Sequence, residues 1–72
     1  MTLTQLRYLI AVANHSSLQK AASALYISQP SLSKAISSLE EEMDIVIFTR
    51  KSTGVHLTED GYRFLSYAKQ VV

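Results

Sequence analysis

The sequence holds no cysteine, no tryptophan, one proline and two glycines. The missing cysteines exclude a disulfide framework and any thiolate metal site, which suits a reducing compartment and a cytoplasmic setting. No run approaches the ~18 apolar residues that a membrane-spanning helix needs. The apolar core of "YLIAVA", before "NHS", is too short for a secretory signal. His15 and His56 stand alone, without a second ligand at metal spacing, so no metal or cofactor is expected. The most informative absence is one of charge. Residues 1–39 contain no Asp or Glu, while carrying Arg7, Lys20 and Lys34. The acids then arrive together as Glu40, Glu41, Glu42 and Asp44, followed by basic Arg50 and Lys51. A net charge of +1 hides this segregation. A long acid-free stretch implies a surface that must not repel an anion.

What is present is one small domain's worth of helix signals. At 72 residues and 47% hydrophobic, the chain is globular but cannot bury a large core. Thr2 and Gln5 have capping-box spacing, and Leu3, Leu6, Leu9, Ile10 and Ala13 form an apolar stripe for a first helix. The cluster Asn14 to Ser17 ends it and offers an N-cap for the next helix. A second helix runs from about Leu18 to Tyr26, with Leu18, Ala21, Ala22 and Leu25 inward and the small alanines allowing close helix approach. Tyr26, Tyr62 and Tyr67 are expected to pack rather than to serve as base-stacking platforms. Ser28 is a good N-cap, so Pro30 falls in the first turn of a third helix, where its missing N–H is harmless. Leu32, Ile36, Leu39 and Met43 form that helix's buried edge. Ile45–Phe48 and Val55–Leu57 flank the turn-forming "RKSTG", giving a hairpin over about 46–57. Thr58 caps a fourth helix with Glu59 and Asp60 in its first turn, the sign favoured there. That helix carries Phe64, Leu65, Ala68, Val71 and Val72 and runs to the last residue, so the expectation is a piece of a longer protein.

Helix, helix, short turn, helix, hairpin, helix is the layout of a mainly α winged helix-turn-helix. The wet face of the third helix holds Gln29, Pro30, Ser31, Ser33, Lys34 and Ser37, short or hydrogen-bonding residues with no acid before Glu40. Such a face fits a DNA major groove. Small hydroxyls let the backbone approach, Gln can pair with adenine and Lys with guanine, and acids would be repelled by phosphate. Open N–H groups near Ser28 to Ser31 can meet a phosphate. The competing readings are weaker. A solvated serine face explains the hydroxyls but not the missing acids. Ser17-x-x-Lys20 and Ser31-x-x-Lys34 match the S-x-x-K of some hydrolases, but the partner motifs are missing, so no catalytic residue and no enzyme is expected. A winged helix that binds only protein would need an exposed apolar face, which the third helix lacks.

The segment "LQKAASALYISQPSLSKAISSLEEEMDIVIFTR", with "TGVHLTEDG" after it, resembles the N-terminal DNA-binding domain of LysR-type transcriptional regulators. Ser17, Ala21, Ala22, Leu25, Ser28 to Ser33, Ile36, Leu39, Glu40, Phe48, Arg50, Gly54, Val55, Leu57, Thr58 and Gly61 lie on that family's pattern. The resemblance implies a bacterial, sequence-specific transcription factor. Residues 1–58 would form the winged helix-turn-helix, with the helix-turn-helix over about 18–37, and residues 59–72 would begin a linker helix. It implies DNA contacts from Lys20, Ser28, Gln29, Pro30, Ser31, Ser33, Lys34 and Ser37, and from Arg50, Lys51, Ser52 and Thr53 in the wing. It further implies a homodimer through the fourth helix (Phe64, Leu65, Ala68, Val71, Val72), with a tetramer open to the full-length protein. A small effector would bind only through a C-terminal domain that this sequence does not contain. Four positions depart from the pattern. Leu18-Gln19 replaces Phe-Thr, Lys34 replaces a common Arg, Thr53 replaces a basic residue, and Asp44 replaces a helix-ending Gly. These bear on affinity and sequence preference more than on fold.

Overall fold

A computed structural model describes all of residues 1–72. Its elements are α1 (Leu3–His15), α2 (Leu18–Leu25), α3 (Gln29–Met43), β1 (Phe48–Lys51), β2 (Gly54–Leu57) and α4 (Glu59–Val71). Local hydrogen-bond chemistry sets each helix start. Thr2 and Gln5 form a reciprocal capping box, each side chain accepting from the other's backbone N–H. Ser17, Ser28 and Thr58 cap α2, α3 and α4 by accepting from Lys20, Ser31 and Gly61 respectively. Pro30 is the second residue of α3, so it opens the helix as expected.

The first three helices end alike. Ser16, Tyr26 and Asp44 all adopt the left-handed conformation, with φ of 53°, 59° and 55°. Glycine is the usual choice there, because a Cβ costs roughly 1–2 kcal/mol. Tyr26 is therefore the C-cap of α2 and not its last packed residue. Its side chain is 95% exposed, which corrects the expectation that it packs.

Leu6, Leu9, Val12, Leu18, Ala21, Ala22, Leu32, Ile36, Leu39, Ile47 and Ala68 form one core. The α1 stripe is Leu6, Leu9 and Val12; Leu3 is largely exposed and Val12 takes the position that the expected stripe missed. Ala21 and Ala22 let α2 sit tightly between α1 and α3. Four helices and one hairpin thus share a single apolar centre.

The hairpin begins later than expected, at Phe48 and not near Val46. Ile47 is fully buried, yet its backbone has no strand partner. Its N–H goes to Glu40 Oε2 at 2.7 Å, and its carbonyl accepts from the Thr58 N–H at 2.9 Å. With both groups taken by α3 and by the α4 cap, the apolar run Ile45–Ile47 becomes a fixed connector instead of a strand. β1 and β2 pair antiparallel from Phe48↔Leu57 to Lys51↔Gly54, around a tip at Ser52 and Thr53. The hairpin is fastened to the helices by the Val55 N–H, which donates to the Ser16 carbonyl at 3.1 Å. Gly54 makes that approach possible: its φ is 124°, and a Cβ there would lie 2.7 Å from the Ser16 oxygen.

Candidate nucleic-acid interface

The buried edge of α3 (Leu32, Ile36, Leu39) fixes its rotation, and the opposite face is left open. Gln29, Pro30, Ser31, Lys34 and Ser37 are exposed, and Ser33 is half-buried at the margin. Nothing in the chain walls off the face that the sequence marks as groove-compatible. Lys20 is exposed on α2, and Lys51, Ser52 and Thr53 are exposed at the hairpin tip. Helix geometry separates Gln29 from Glu40 by roughly 16 Å along the axis.

The two surface grooves differ in sign. One lies between the N-termini of α2 and α3 and the wing, lined by Ser17, Gln19, Gln29, Arg50 and Lys51 among others, and no acid lines it. The other lies where α3 ends and α4 begins, lined by Glu40, Glu41, Asp44, Glu59 and Asp60. Charge segregation along the sequence is thus charge segregation in space, at opposite ends of α3. The acids at the α4 start are held by their own helix: Arg63 bridges Glu59 at 2.9 Å, one turn away.

Several serines are less free than their exposure suggests. The Ser28 hydroxyl accepts from the Ser31 N–H at 3.2 Å and donates to the Ser31 hydroxyl at 2.8 Å. Its main task is to start α3. Ser17 is engaged in the same way at the start of α2. Thr53 pairs with the His56 ring across the wing tip at 2.8 Å.

Arg50 lies on β1 of the wing beside Lys51, as expected, and its guanidinium reaches back to α3 and donates to Ser33 Oγ at 2.8 Å. Arg50 pairs with Val55 across the hairpin and lies two residues beyond Phe48. Period-two alternation puts all three on the hairpin face turned to the helices, where Phe48 and Val55 pack against the core. Arg50 continues that face past the edge of the core, to α3. Lys51, one residue on, belongs to the other face by the same alternation, although both cations line the one groove. Glu40 is likewise more than part of an acidic end: it is half-buried and ties down the α3–β1 connector. Neither role has a sequence signal beyond spacing, since each links residues brought together only by the fold. Gln19 is the groove residue that composition passed over; its signal was its place just after the Ser17 cap.

On α4, Ala68 is completely buried in the chain's own core and has no surface to offer a partner, which corrects its assignment to a pairing face. Phe64 and Leu65 are half-buried against the core. Tyr67, Val71 and Val72 are about half exposed. No helix is long and apolar enough to cross a membrane.

Comparisons with known proteins agree with this geometry. Residues 3–62 match the family described as bacterial regulatory helix-turn-helix protein, lysR family. A probable RuBisCO transcriptional regulator of Phaeodactylum tricornutum is 48% identical over 71 residues, covering 99% of this chain and 23% of that protein. The crystal structure of the BenM DNA-binding domain on catB site 1 DNA superposes with a TM-score of 0.94 at 44% identity, over 99% of this chain and 80% of that one. The CbnR DNA-binding domain in complex with DNA gives a TM-score of 0.95 at 35% identity, over 99% of this chain and 82% of that one. The chain spans about a quarter of the length of the curated relatives it matches.

Proposed function

This chain belongs to the lysR family of bacterial regulatory helix-turn-helix proteins and is a DNA-binding domain of that family, and we propose that it reads DNA by sequence with the N-terminal half of α3 in the major groove. The observation that carries this is the open, acid-free face of Gln29, Ser33 and Lys34, set beside a basic groove while every nearby acid lies at the far end of the helix. Gln29 and Lys34 are the side chains with base-reading chemistry, and Pro30 and Ser33 lie between them. Ser28, Ser31, Ser37 and Lys20 flank them as phosphate contacts. Lys51, Ser52 and Thr53 place the wing tip on the backbone or minor groove.

Residues 1–58 act as the winged helix-turn-helix, and residues 59–72 begin a linker helix through which two copies pair. Its open apolar residues are Tyr67 and Val71, four apart on one side of the helix, with the half-buried Phe64 beside Tyr67. The whole protein is a cytoplasmic transcription regulator whose effector binds in a domain beyond this chain. The relatives' length, about four times that of this chain, supports that reading.

Mobility-shift titrations at several salt concentrations test the docking. Lys34→Ala should cost about 1–3 kcal/mol on the preferred site and relax preference at one base pair. Lys51→Ala should weaken all sequences evenly and reduce the salt slope by about one. Unchanged affinity in both variants rejects this docking.

A further inference from the structure

We propose that Arg50 sets the hydrogen-bond polarity of Ser33, so that the recognition helix presents a hydroxyl proton to the groove and Ser33 selects a hydrogen-bond acceptor on DNA. The proposal deepens the DNA-reading function above and rests on it.

The argument begins with what each group can do. A serine hydroxyl has one proton and two lone pairs and rotates to suit its partner, so it reads donors and acceptors alike. That ambiguity makes serine a poor discriminator of bases. A guanidinium has only donors and is not deprotonated in proteins. The 2.8 Å contact from the Arg50 guanidinium to Ser33 Oγ can therefore run in one direction only. One lone pair of Ser33 is committed and its proton is left to find another acceptor.

Serines inside helices commonly give that proton to the carbonyl four residues back. Ser33 makes no such bond, and its single side-chain hydrogen bond is the one it accepts from Arg50. The proton is thus available to the face that Gln29 and Lys34 share. A charged donor on the oxygen also polarises the hydroxyl and strengthens it as a donor. Ser31 provides the contrast: its oxygen accepts from the neutral Ser28 hydroxyl, without a formal charge behind it.

The backbone holds the two residues in position, with the Arg50 side chain exposed between them. Arg50 is paired with Val55 in the ladder, and the Val55 N–H is bonded to the Ser16 carbonyl at the end of α1. Ser33 sits one residue after Leu32, which is fully buried. Both ends of the contact are thus anchored in the core. Arg50 acts as a positioning residue for Ser33 and not as a phosphate clamp.

In the major groove the acceptors are N7 and O6 of guanine, N7 of adenine and O4 of thymine, whereas cytosine presents its N4 amino donor. The base facing Ser33 should therefore discriminate against cytosine. Without Arg50 the hydroxyl regains both roles, and that discrimination should shrink by about threefold to tenfold, the value of one neutral hydrogen bond.

The test is a double-mutant cycle. The wild-type chain, Arg50→Ala, Ser33→Ala and the double variant are titrated against a site selected by the wild type from random DNA, and against every single-base change in it, at two salt concentrations. Arg50→Ala and Ser33→Ala should lose preference at the same single base pair, with the cytosine penalty narrowed. The double variant should match Ser33→Ala, and Arg50→Ala should keep the wild-type salt slope. An even loss of affinity over all sequences in Arg50→Ala, with a slope smaller by about one, overturns the proposal and makes Arg50 a phosphate contact. A Ser33→Ala variant with no base position of its own overturns it as well, and does so independently of how Arg50→Ala behaves. If the wild type selects no sequence at all, the DNA-reading function fails instead, a result separate from either of these.

Discussion

Gly61 occupies a position where one added carbon atom would meet backbone. A Cβ there would lie 2.2 Å from the Ile47 carbonyl oxygen and 3.1 Å from a Leu57 methyl. The Ile47 oxygen is held in place by the Thr58 N–H, which donates to it at 2.9 Å. Gly61 is also the residue whose N–H the Thr58 cap receives, at 2.9 Å. Gly61→Ala would gain helix propensity on an exposed helix, but here the clash dominates. It should destabilise the fold by about 3 kcal/mol, more than the ~1 kcal/mol that propensity returns. Thermal denaturation of the two chains checks this; an unchanged or raised midpoint would show that α4 can shift away from Ile47. The three left-handed C-caps are the counterpart. Ser16, Tyr26 and Asp44 hold a left-handed conformation in which glycine is easier.

The elements are joined by a few polar contacts as much as by the core. Glu40 is the main one: its Oε2 accepts from the Ile47 N–H at 2.7 Å and from the Phe48 N–H at 3.2 Å, linking α3 to the start of the wing. Glu40→Ala would leave the buried Ile47 N–H unsatisfied, at about 1–3 kcal/mol. The loss should fall on the connector and the hairpin before the helices, so amide exchange should quicken at Ile47 and Phe48 while Leu9 and Leu32 stay protected. Equal quickening throughout would show that Glu40 supports the whole domain and not the joint. This contact also explains what sequence pattern could and could not reveal. Caps are short-range chemistry, so Thr2, Ser17, Ser28 and Thr58 were readable from neighbouring residues alone. Ile45–Ile47 looked like a strand because buried connectors and buried strands share the same apolar, β-branched composition. Only the destination of the backbone hydrogen bonds separates them, and those partners are Glu40 and Thr58, seven and eleven residues away from Ile47. Tyr26 fitted a packed helix for the same reason: periodicity counts residues without seeing where the helix unwinds. The exposed α3 face was visible because it follows directly from the buried edge opposite. The Arg50–Ser33 contact was not, because it joins residues 17 apart on two different elements.

A single copy carries one α3 face, whereas DNA sites for helix-turn-helix dimers place two half-sites about one helical turn apart. If two copies pair through α4 as proposed, how they meet is part of how either reads DNA. α4 packs on α1 and β2 through Gly61, Leu65 and Ala68, at spacings of four and three. On the other side Tyr67 and Val71 are about half exposed, and the ring of the half-buried Phe64 lies 5.9 Å from that of Tyr67. An apolar stripe on the outside of a 13-residue helix is the surface most in need of a partner. Charge acts in the same direction, because the acids of α4 are confined to Glu59 and Asp60 and the exposed stripe after them carries none. Tyr67→Glu places an unpaired carboxylate in the centre of that stripe while leaving the core contacts of Ala68 intact. Sedimentation velocity over a concentration series should show the wild type associating and Tyr67→Glu shifted at least about tenfold towards monomer. Affinity for an isolated half-site should change little, since α3 and the wing are untouched, whereas the gain from a second half-site should disappear with the pairing. If the variant associates as the wild type does, the copies meet elsewhere. If the half-site affinity collapses as well, α4 supports the reading head itself and not only the contact between copies.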